Sequence, residues 1–204
     1  MKLQKYVNSV AVENTYLLTS DSGAQLLIDP GSDLQYLPDL TNLAAVLLTH
    51  AHFDHIMGLS AVHEKFPELP IWLAEAEKDW PHEPEYNCSI FMLGKATLAP
   101  SATNFYSFGQ KLEIADFKLE VRATPGHSIG SVSLVFSDAR MVISGDALFK
   151  NSIGRTDLPT GNYEQLIASI KTELLTLPDD YKVYPGHGEH TTIGEERVFN
   201  PFLS

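Results

Sequence analysis

The chain has 204 residues, of which 44% are apolar and 20% are charged, a composition that is ordinary for a globular protein able to bury a core. Its formal net charge of -12 argues against a nucleic-acid partner, whose phosphates need a basic surface, but not against an anionic small substrate held by bound cations. One cysteine excludes an intrachain disulfide, and the chain lacks both a signal-peptide start and an apolar run of about 20 residues, so we expect a cytoplasmic protein with no membrane partner.

The first third of the chain consists of short apolar runs separated by turn residues, which predicts strands. The third of these runs is of the buried type and ends directly at His50. Behind His55, apolar residues recur at helical spacing until Pro67, which predicts a helix. The predicted elements are strands at residues 14–19, 24–28 and 44–49, a short helix or turn at 34–41 and a helix at 56–66.

The middle of the chain is the least regular part. A short strand at residues 71–73 and a short helix at 74–80 are predicted, but residues 81–105 have no clear period. A connection this irregular within a compact domain is often a functional loop. Three of its apolar residues are predicted either to line a substrate pocket or to pack in the core: Tyr86, Phe91 and Met92.

The last third of the chain combines strands with one long helical pattern. Leu166, Ile170 and Leu174 recur on one stripe, which predicts an amphipathic helix over residues 163–177. The segment Thr-Ile-Gly-Glu at 192–195 has the form of a capping box and predicts a last short helix. The predicted strands are residues 112–114, 118–123, 132–136, 141–143 and 182–184.

A cluster of candidate metal ligands begins where the predicted strand 44–49 ends. His50, His52 and Asp54 alternate along the chain, and an extended backbone would point their side chains to one side. His55 follows directly and begins the turn into the helix. Imidazole nitrogens and carboxylate oxygens suit zinc and other first-row divalent metals. The cluster therefore predicts a metal site.

Three more ligand-type residues share the position of His50. His127, Asp146 and His187 each follow an apolar strand at its carboxyl end and stand beside a glycine. Loops at strand ends are where α/β architectures gather their functional residues. Asp29 is a further candidate, because ligating histidines usually donate their second N–H to a carboxylate or a carbonyl.

The order of these motifs resembles the metallo-β-lactamase superfamily. The pattern His-x-His-x-Asp-His is followed by a single histidine, a Gly-Asp and a final Gly-His, and the resemblance covers essentially the whole chain. It implies an α/β fold, the four-layer αββα sandwich with two mixed β-sheets flanked by helices. Four segments narrow the resemblance to bacterial glyoxalase II-like (hydroxyacylglutathione hydrolase-like) enzymes: Ser-Gly-Asp-Ala-Leu-Phe at 144–149, Gly-Arg-Thr-Asp-Leu-Pro at 154–159, Tyr-Pro-Gly-His-Gly at 184–188 and the ending at 191–202.

The resemblance also implies the ligands of two divalent metal ions. Zinc is the expected metal, with iron or manganese as alternatives. A hydroxide that bridges metals about 3.5–4 Å apart would attack the substrate. Asp54 is implied to orient this hydroxide as the catalytic residue, in addition to being a ligand. The implied ligands are His50, His52 and His127 for one metal, Asp54, His55 and His187 for the other, and Asp146 for both.

The expected reaction is hydrolysis of a small acyl thioester such as S-lactoylglutathione or a related thiol ester. No second strong acid stands near the motifs, and a thiolate with a parent pKa of about 8.5 leaves more easily than an amine that needs a proton. Lys150 and Arg155 are the candidates for binding a substrate carboxylate. Arg155 has an alternative role, which is to bind Asp157 within its own loop.

The longer glyoxalase II enzymes differ from this chain by a C-terminal helical domain that helps to hold glutathione. Only 17 residues follow His187. We therefore expect one metallo-hydrolase domain over residues 1–204 without that helical domain, and the thiol carrier stays open. The expected assembly is a monomer or a small homo-oligomer.

Three other functions remain possible interpretations. A sulfur (persulfide) dioxygenase-like enzyme would use one iron with two histidines and an aspartate from the same positions. A non-catalytic binding protein on the same scaffold would usually have lost ligands, and none is lost here. A β-lactamase is less well supported, because the motifs after Asp146 follow the glyoxalase-like pattern.

Overall fold

The computed structural model describes residues 1–37 and 40–203. The chain divides into two compact units, Met1–Tyr106 with Glu113–Phe117, and Ser107–Leu112 with Lys118–Ser204. Both units contain strands and helices, and the structure contains two six-stranded mixed sheets. The predicted α/β class with two mixed sheets and flanking helices is confirmed.

The sheet of the first unit begins with an antiparallel meander and continues with parallel strands. Leu17 pairs with Leu27, and Leu27 pairs in turn with Val46 on the parallel neighbour. These side chains share one face and lie in a single apolar core. In order across the sheet the strands are β1 (Lys2–Val7), β2 (Asn14–Thr19), β3 (Gln25–Ile28), β4 (Leu43–Leu47), β5 (Ile71–Ala74) and β6 (Asn104–Tyr106).

The helices of the first unit are short. The predicted helix behind His55 is two helices, α1 (Phe53–Ile56) and α2 (Leu59–Lys65), and both bury apolar residues in the core of this unit. Gly58 lies between them, and a Cβ atom there would lie 2.5 Å from the carbonyl oxygen of Gly31, so only glycine fits. Of the predicted helix or turn at 34–41, residues Leu34–Tyr36 form a 3-10 turn, while residues 38 and 39 lie outside the described residues.

The irregular middle segment contains more structure than its sequence pattern indicates. The predicted helix at 74–80 is instead a pair of 3-10 turns, Glu75–Glu77 and Trp80–His82. A third helix, α3 (Ser89–Leu93), stands within the predicted loop. Cys88 precedes it and is completely buried, with a backbone φ of 66°.

The second sheet carries one parallel pair among antiparallel neighbours. Strand β10 (Met141–Gly145) runs parallel to β13 (Lys182–Pro185), and Val142 pairs with Val183. Across this sheet the order is β14 (Thr191–Thr192), β13, β10, β9 (Val132–Phe136), β8 (Phe117–Ala123) and β7 (Lys111–Ile114). A separate small hairpin is formed by β11 (Leu148–Phe149) and β12 (Ser152–Ile153).

The helices of the second unit bury the apolar stripe that the sequence predicts. Helix α4 (Tyr163–Ser169) continues as a π-helical segment, Ile170–Leu174, so the helical part ends earlier than the predicted residue 177. Its buried residues join the core of this unit, together with those of α5 (Ile193–Phe199). Thr192 accepts a hydrogen bond from the backbone N–H of Glu195 at 3.2 Å, as the predicted capping box requires.

Candidate metal centre

The histidine cluster spans the loop between β4 and α1, which carries His50 and His52, and helix α1 itself, which carries Asp54 and His55. His50 and His55 are completely buried, and the exposed fractions of His52 and Asp54 are only 3% and 7%. Buried polar side chains of this kind require partners, because desolvation without compensation costs free energy. The predicted extended backbone ends at His52, since Asp54 lies in the first turn of α1. The prediction that an extended backbone points Asp54 to the same side as His50 and His52 is therefore wrong.

The backbone of this loop is held by acceptors outside the sheet. The N–H of Thr49 donates to Oδ1 of Asp29 at 2.8 Å, and the N–H of Ala51 donates to Oε2 of Glu77 at 2.7 Å. Glu77 is completely buried, and it is not among the site residues that the sequence predicts. The residue carries no periodic signal in the sequence, because its role depends on a contact between distant segments.

The side chains of the cluster converge within the first unit. Nε2 of His50 lies 3.1 Å from Nδ1 of His52, and the ring centroids of His50 and His55 are 4.1 Å apart. Oδ2 of Asp54 lies 4.0 Å from Nε2 of His55. The four residues of the predicted cluster are thus brought together as one group.

His55 is backed by two buried carboxylates. Oδ2 of Asp29 lies 3.0 Å from Nδ1 of His55, which is the position that the sequence predicts for Asp29. Oε1 of Glu13 lies 4.0 Å from the same nitrogen, and Glu13 is also completely buried. Asp29 adopts a positive φ of 49°, which is uncommon for a residue other than glycine. Carboxylates behind a ligating imidazole fix its orientation and raise its basicity.

The second unit brings together the other three predicted ligands. Oδ2 of Asp146 lies 3.5 Å from Nε2 of His127 and 3.4 Å from Nε2 of His187. His127 and Asp146 are buried, and the side chain of His187 is 25% exposed. Each of the three follows the strand that the sequence assigns to it: β8, β10 and β13.

The donor sets fit divalent cations. A tetrahedral zinc ion with bonds of about 2.0–2.1 Å places its ligand atoms about 3.3 Å apart. Oδ2 of Asp146 lies close to this distance from both imidazole nitrogens, which is longer than an optimal hydrogen bond. The pair His50 and His52 has a similar separation. Each unit therefore presents histidine and aspartate donors of a type and spacing suited to a metal.

The two predicted substrate-binding residues have different surroundings. Nε and Nη2 of Arg155 donate to Oδ1 and Oδ2 of Asp157 at 2.7 and 2.8 Å, as the alternative interpretation of Arg155 holds. These hydrogen bonds lower the pKa of Asp157 to about 2. Lys150 is exposed in the turn between β11 and β12.

An aromatic stack extends from the histidine cluster into the irregular segment. The ring of His52 stacks on Trp80 at a centroid distance of 5.9 Å, and Trp80 stacks on Tyr86 at 5.7 Å. Tyr86, Phe91 and Met92 are 44%, 63% and 48% exposed, so the interpretation that they pack in the core is wrong. Their other predicted role, lining a substrate pocket, stays a prediction.

Comparison with known proteins identifies relatives over nearly the whole chain. The family model described as the metallo-beta-lactamase superfamily matches residues 9–187. The chain is 45% identical to the probable metallo-hydrolase YqgX of Bacillus subtilis, over 94% of this chain and 92% of that protein. It is 35% identical to the hydroxyacylglutathione hydrolase GloC of Haemophilus influenzae, over 94% of this chain and 93% of that protein.

Solved structures with the same fold include proteins with related sequences. The BLEG-1 B3 metallo-beta-lactamase matches with a TM-score of 0.95 and 38% identity over 100% of both chains. TTHA1623 in a di-iron-bound form matches with a TM-score of 0.82 and 34% identity, over 98% of this chain and 100% of that one. ETHE1 from Myxococcus xanthus matches with a TM-score of 0.75 and 31% identity, over 98% of this chain and 84% of that one.

Proposed function

Because this chain belongs to the metallo-β-lactamase superfamily, we propose that it is a metallo-hydrolase of small acyl thioesters, the type of reaction for which its relative GloC is named. The observation that carries the proposal is the donor set, in which Oδ2 of Asp146 stands within 3.5 Å of two imidazole nitrogens. Seven histidine and aspartate side chains of the ligand type are present at the positions that the family pattern uses. None is replaced by a residue unable to bind a metal.

We assign two divalent cations to these side chains. Zinc is the expected metal, and iron is a specific alternative because the relative TTHA1623 has a di-iron-bound form. Manganese is a further alternative. One cation is assigned to His50, His52 and His127, the other to Asp54, His55 and His187, and Asp146 to both.

Within this assignment the chain's own residues prepare the attack on the substrate. When bound, the two cations lower the pKa of a water molecule towards neutrality and polarise the substrate carbonyl. Asp54, whose carboxylate is buried in the first turn of α1, would accept a hydrogen bond from this water and so orient it. Asp29 holds His55 through Nδ1, which leaves Nε2 for ligation.

The leaving group explains why a thioester is preferred to an amide. The acid candidates buried near the motifs are assigned either as ligands or as supports of the ligand loop. A thiolate with a parent pKa of about 8.5 departs without protonation, whereas an amine requires a proton donor. The donor set therefore favours an ester of a thiol.

Recognition of the substrate is assigned to Lys150 and to the aromatic stack. Lys150 is exposed and cationic, and it is available to bind a carboxylate of the substrate. Arg155 is a weaker candidate, because its guanidinium is already engaged by Asp157. We propose that Arg155 contributes to binding mainly by ordering the loop next to Lys150.

Two relatives make alternative reactions worth testing directly. BLEG-1 is named as a B3 metallo-beta-lactamase and shares 38% identity with this chain, so a β-lactam belongs among the test substrates. The second relative is ETHE1 from Myxococcus xanthus, which is 31% identical and is compatible with the second candidate, a persulfide dioxygenase-like reaction with a single iron. A non-catalytic binding role is disfavoured by the complete donor set.

The decisive experiment combines metal analysis with turnover measurements on the same preparation. The panel contains S-lactoylglutathione, short acyl coenzyme A thioesters, a β-lactam, and glutathione persulfide with an oxygen electrode. We expect two metals per chain and hydrolysis of at least one thioester. Asp54→Asn serves as the inactive variant and Asp138→Asn, at an exposed 3-10 turn of the second unit, as the matched control. Metal-replete protein that hydrolyses no thioester, or that hydrolyses the β-lactam faster, would overturn the proposal.

A further inference from the structure

Glu77 is a completely buried carboxylate that contacts the backbone of the ligand loop. Its Oε2 atom accepts a hydrogen bond of 2.7 Å from the N–H of Ala51, the residue between His50 and His52. Burial of an ionised carboxylate costs free energy unless strong hydrogen bonds compensate. An apolar side chain in this place would leave the buried N–H of Ala51 without its acceptor, so the contact points to a role beyond packing.

The contact belongs to a regular series along the ligand loop. The N–H groups of Thr49, Ala51 and Phe53 each donate to an acceptor outside the sheet. The acceptors are Asp29, Glu77 and the carbonyl oxygen of Asn87, the last at 2.8 Å. Every second backbone N–H along the stretch of chain that carries His50 and His52 is therefore held by a hydrogen bond.

The segment that contains Glu77 also holds the side chain of His52. The ring of Trp80 stacks on His52, and the side chain of Asn87 donates to the carbonyl oxygen of Trp80 at 3.1 Å. The backbone of the ligand loop and one of its imidazoles are therefore supported by the same segment, residues 75–87. Within this segment, Glu77 supplies a charged acceptor to the backbone of the loop.

We propose that Glu77 is a positioning residue, which fixes the spacing between His50 and His52 before a metal binds. The inference rests on the assignment of these two histidines as ligands in the proposed function. Through the Ala51 N–H, the carboxylate sets the rotation of the backbone on both sides, and so the direction of both imidazoles.

The test compares four variants by metal titration against a competing chelator. Glu77→Asp keeps the charge but shortens the side chain, Glu77→Ala removes both, and Glu77→Gln keeps an oxygen acceptor at full length. Glu75→Ala, an exposed residue of the same 3-10 turn, is the matched control. We expect the affinity for one of the two zinc ions to fall about 10–100-fold in Glu77→Asp and Glu77→Ala. Glu77→Gln should keep most of the zinc affinity of the parent, and Glu75→Ala should have the same affinity as the parent.

Amide hydrogen exchange in the metal-free protein gives a second readout that needs no ligand. In Glu77→Asp the Ala51 amide should exchange on the order of tenfold faster or more, while amides of Leu17 and Leu27 keep their protection. Parent-like zinc affinity and Ala51 exchange in Glu77→Asp would overturn the proposal. The proposal would also be overturned if the affinities for both zinc ions fell equally and amides throughout the sheet lost their protection against exchange. That result would indicate a general role of Glu77 in folding. A parent protein that binds no zinc would contradict the ligand assignment, and the exchange data would still decide whether Glu77 positions the loop.

Discussion

The imidazole of His127 is held by the main chain of Arg155, whose carbonyl oxygen lies 2.8 Å from Nδ1 of the ring. With Nδ1–H as the donor, Nε2 carries the lone pair and faces Oδ2 of Asp146. The side chain of Arg155 points into a separate interaction with Asp157. Residue 155 therefore supports the metal centre through its backbone and the loop through its guanidinium, and these two roles are separable by mutation.

Replacement of Gly154 by alanine should distort the candidate metal centre and lower its metal content. A Cβ atom at Gly154 would overlap the carbonyl oxygen of Asp146 and approach Cβ of His127 to 3.3 Å. The loop must shift, and the Arg155 carbonyl shifts with it. We expect destabilisation of about 1–3 kcal/mol and a reduced metal content. Urea unfolding and metal analysis check this, with the neighbouring Ser152→Ala as control; unchanged metal content in Gly154→Ala would contradict it.

The interaction of Arg155 with Asp157 should be visible by titration. Its hydrogen bonds lower the pKa of Asp157 to about 2, from a usual value of 3.8. A lowered carboxyl pKa means that the pair contributes stability above pH 3.8 and that this contribution disappears as the pH falls towards 2. Carbon-13 NMR of the Asp157 carboxyl group should show its midpoint rising in Arg155→Gln. Metal content should remain that of the parent, because the Arg155 carbonyl is retained; a midpoint that does not move would show that the ion pair is absent in solution.

Asp29→Asn should weaken the second metal position. The variant keeps the shape of the side chain and one oxygen acceptor, but it loses the charge that lies 3.0 Å from Nδ1 of His55. Loss of a carboxylate behind a ligating histidine typically reduces metal affinity or activity by about 10–100-fold. Chelator competition and kcat/KM measure both quantities. The exposed Asp138→Asn should behave as the parent, and equal zinc affinities in all three proteins would refute the supporting role of Asp29.

Lys150→Ala tests recognition of a carboxylate on the substrate. Lys150 is exposed in the β11–β12 turn and is not an assigned ligand, so the variant should keep its metal content. For a thioester with a carboxylate, KM should rise about tenfold while kcat changes little, since the lost contact is made equally in the ground and transition states. Thioesters without a carboxylate should be unaffected. Lys171→Ala, an exposed lysine of the π-helical segment, is the control; an equal effect of both variants would exclude a specific role for Lys150.

The strand ends that carry the candidate ligands were predictable from the sequence. Asp146 and His187 follow short runs rich in apolar residues, a pattern typical of strands, and a glycine beside each allows the chain to turn sharply. The position of these residues at the ends of strands depends on the pattern of neighbouring residues, which can be seen in the sequence itself. The same holds for the cap of α5 at Thr192, whose signal spans four residues.

The residues that support the ligands were not predictable in the same way. Glu13 and Glu77 stand in turns or short segments with no period, and only the folded chain brings them to His55 and Ala51. An isolated glutamate in such a segment reads as a solvent-exposed residue. Helix α3 was missed for a related reason, since it has only five residues and no side-chain cap.

The prediction of an extended backbone for the histidine cluster is wrong at Asp54. Alternation of His50, His52 and Asp54 is compatible with a strand, but helix α1 begins at Phe53 and turns the carboxylate into its first turn. An acid there is favoured by the partial positive charge of the helix start. A period of two extending over only three residues does not distinguish these conformations.

Cys88 has a consequence for an enzyme that would release thiols as it works. The sulfur atom is buried at the start of α3, and the chain contains no other cysteine. Thiol–disulfide exchange requires an accessible sulfur on the protein. A thiol product, or the disulfide formed from it, thus meets no exposed cysteine on this chain, so thiol–disulfide exchange with the protein should not alter the activity.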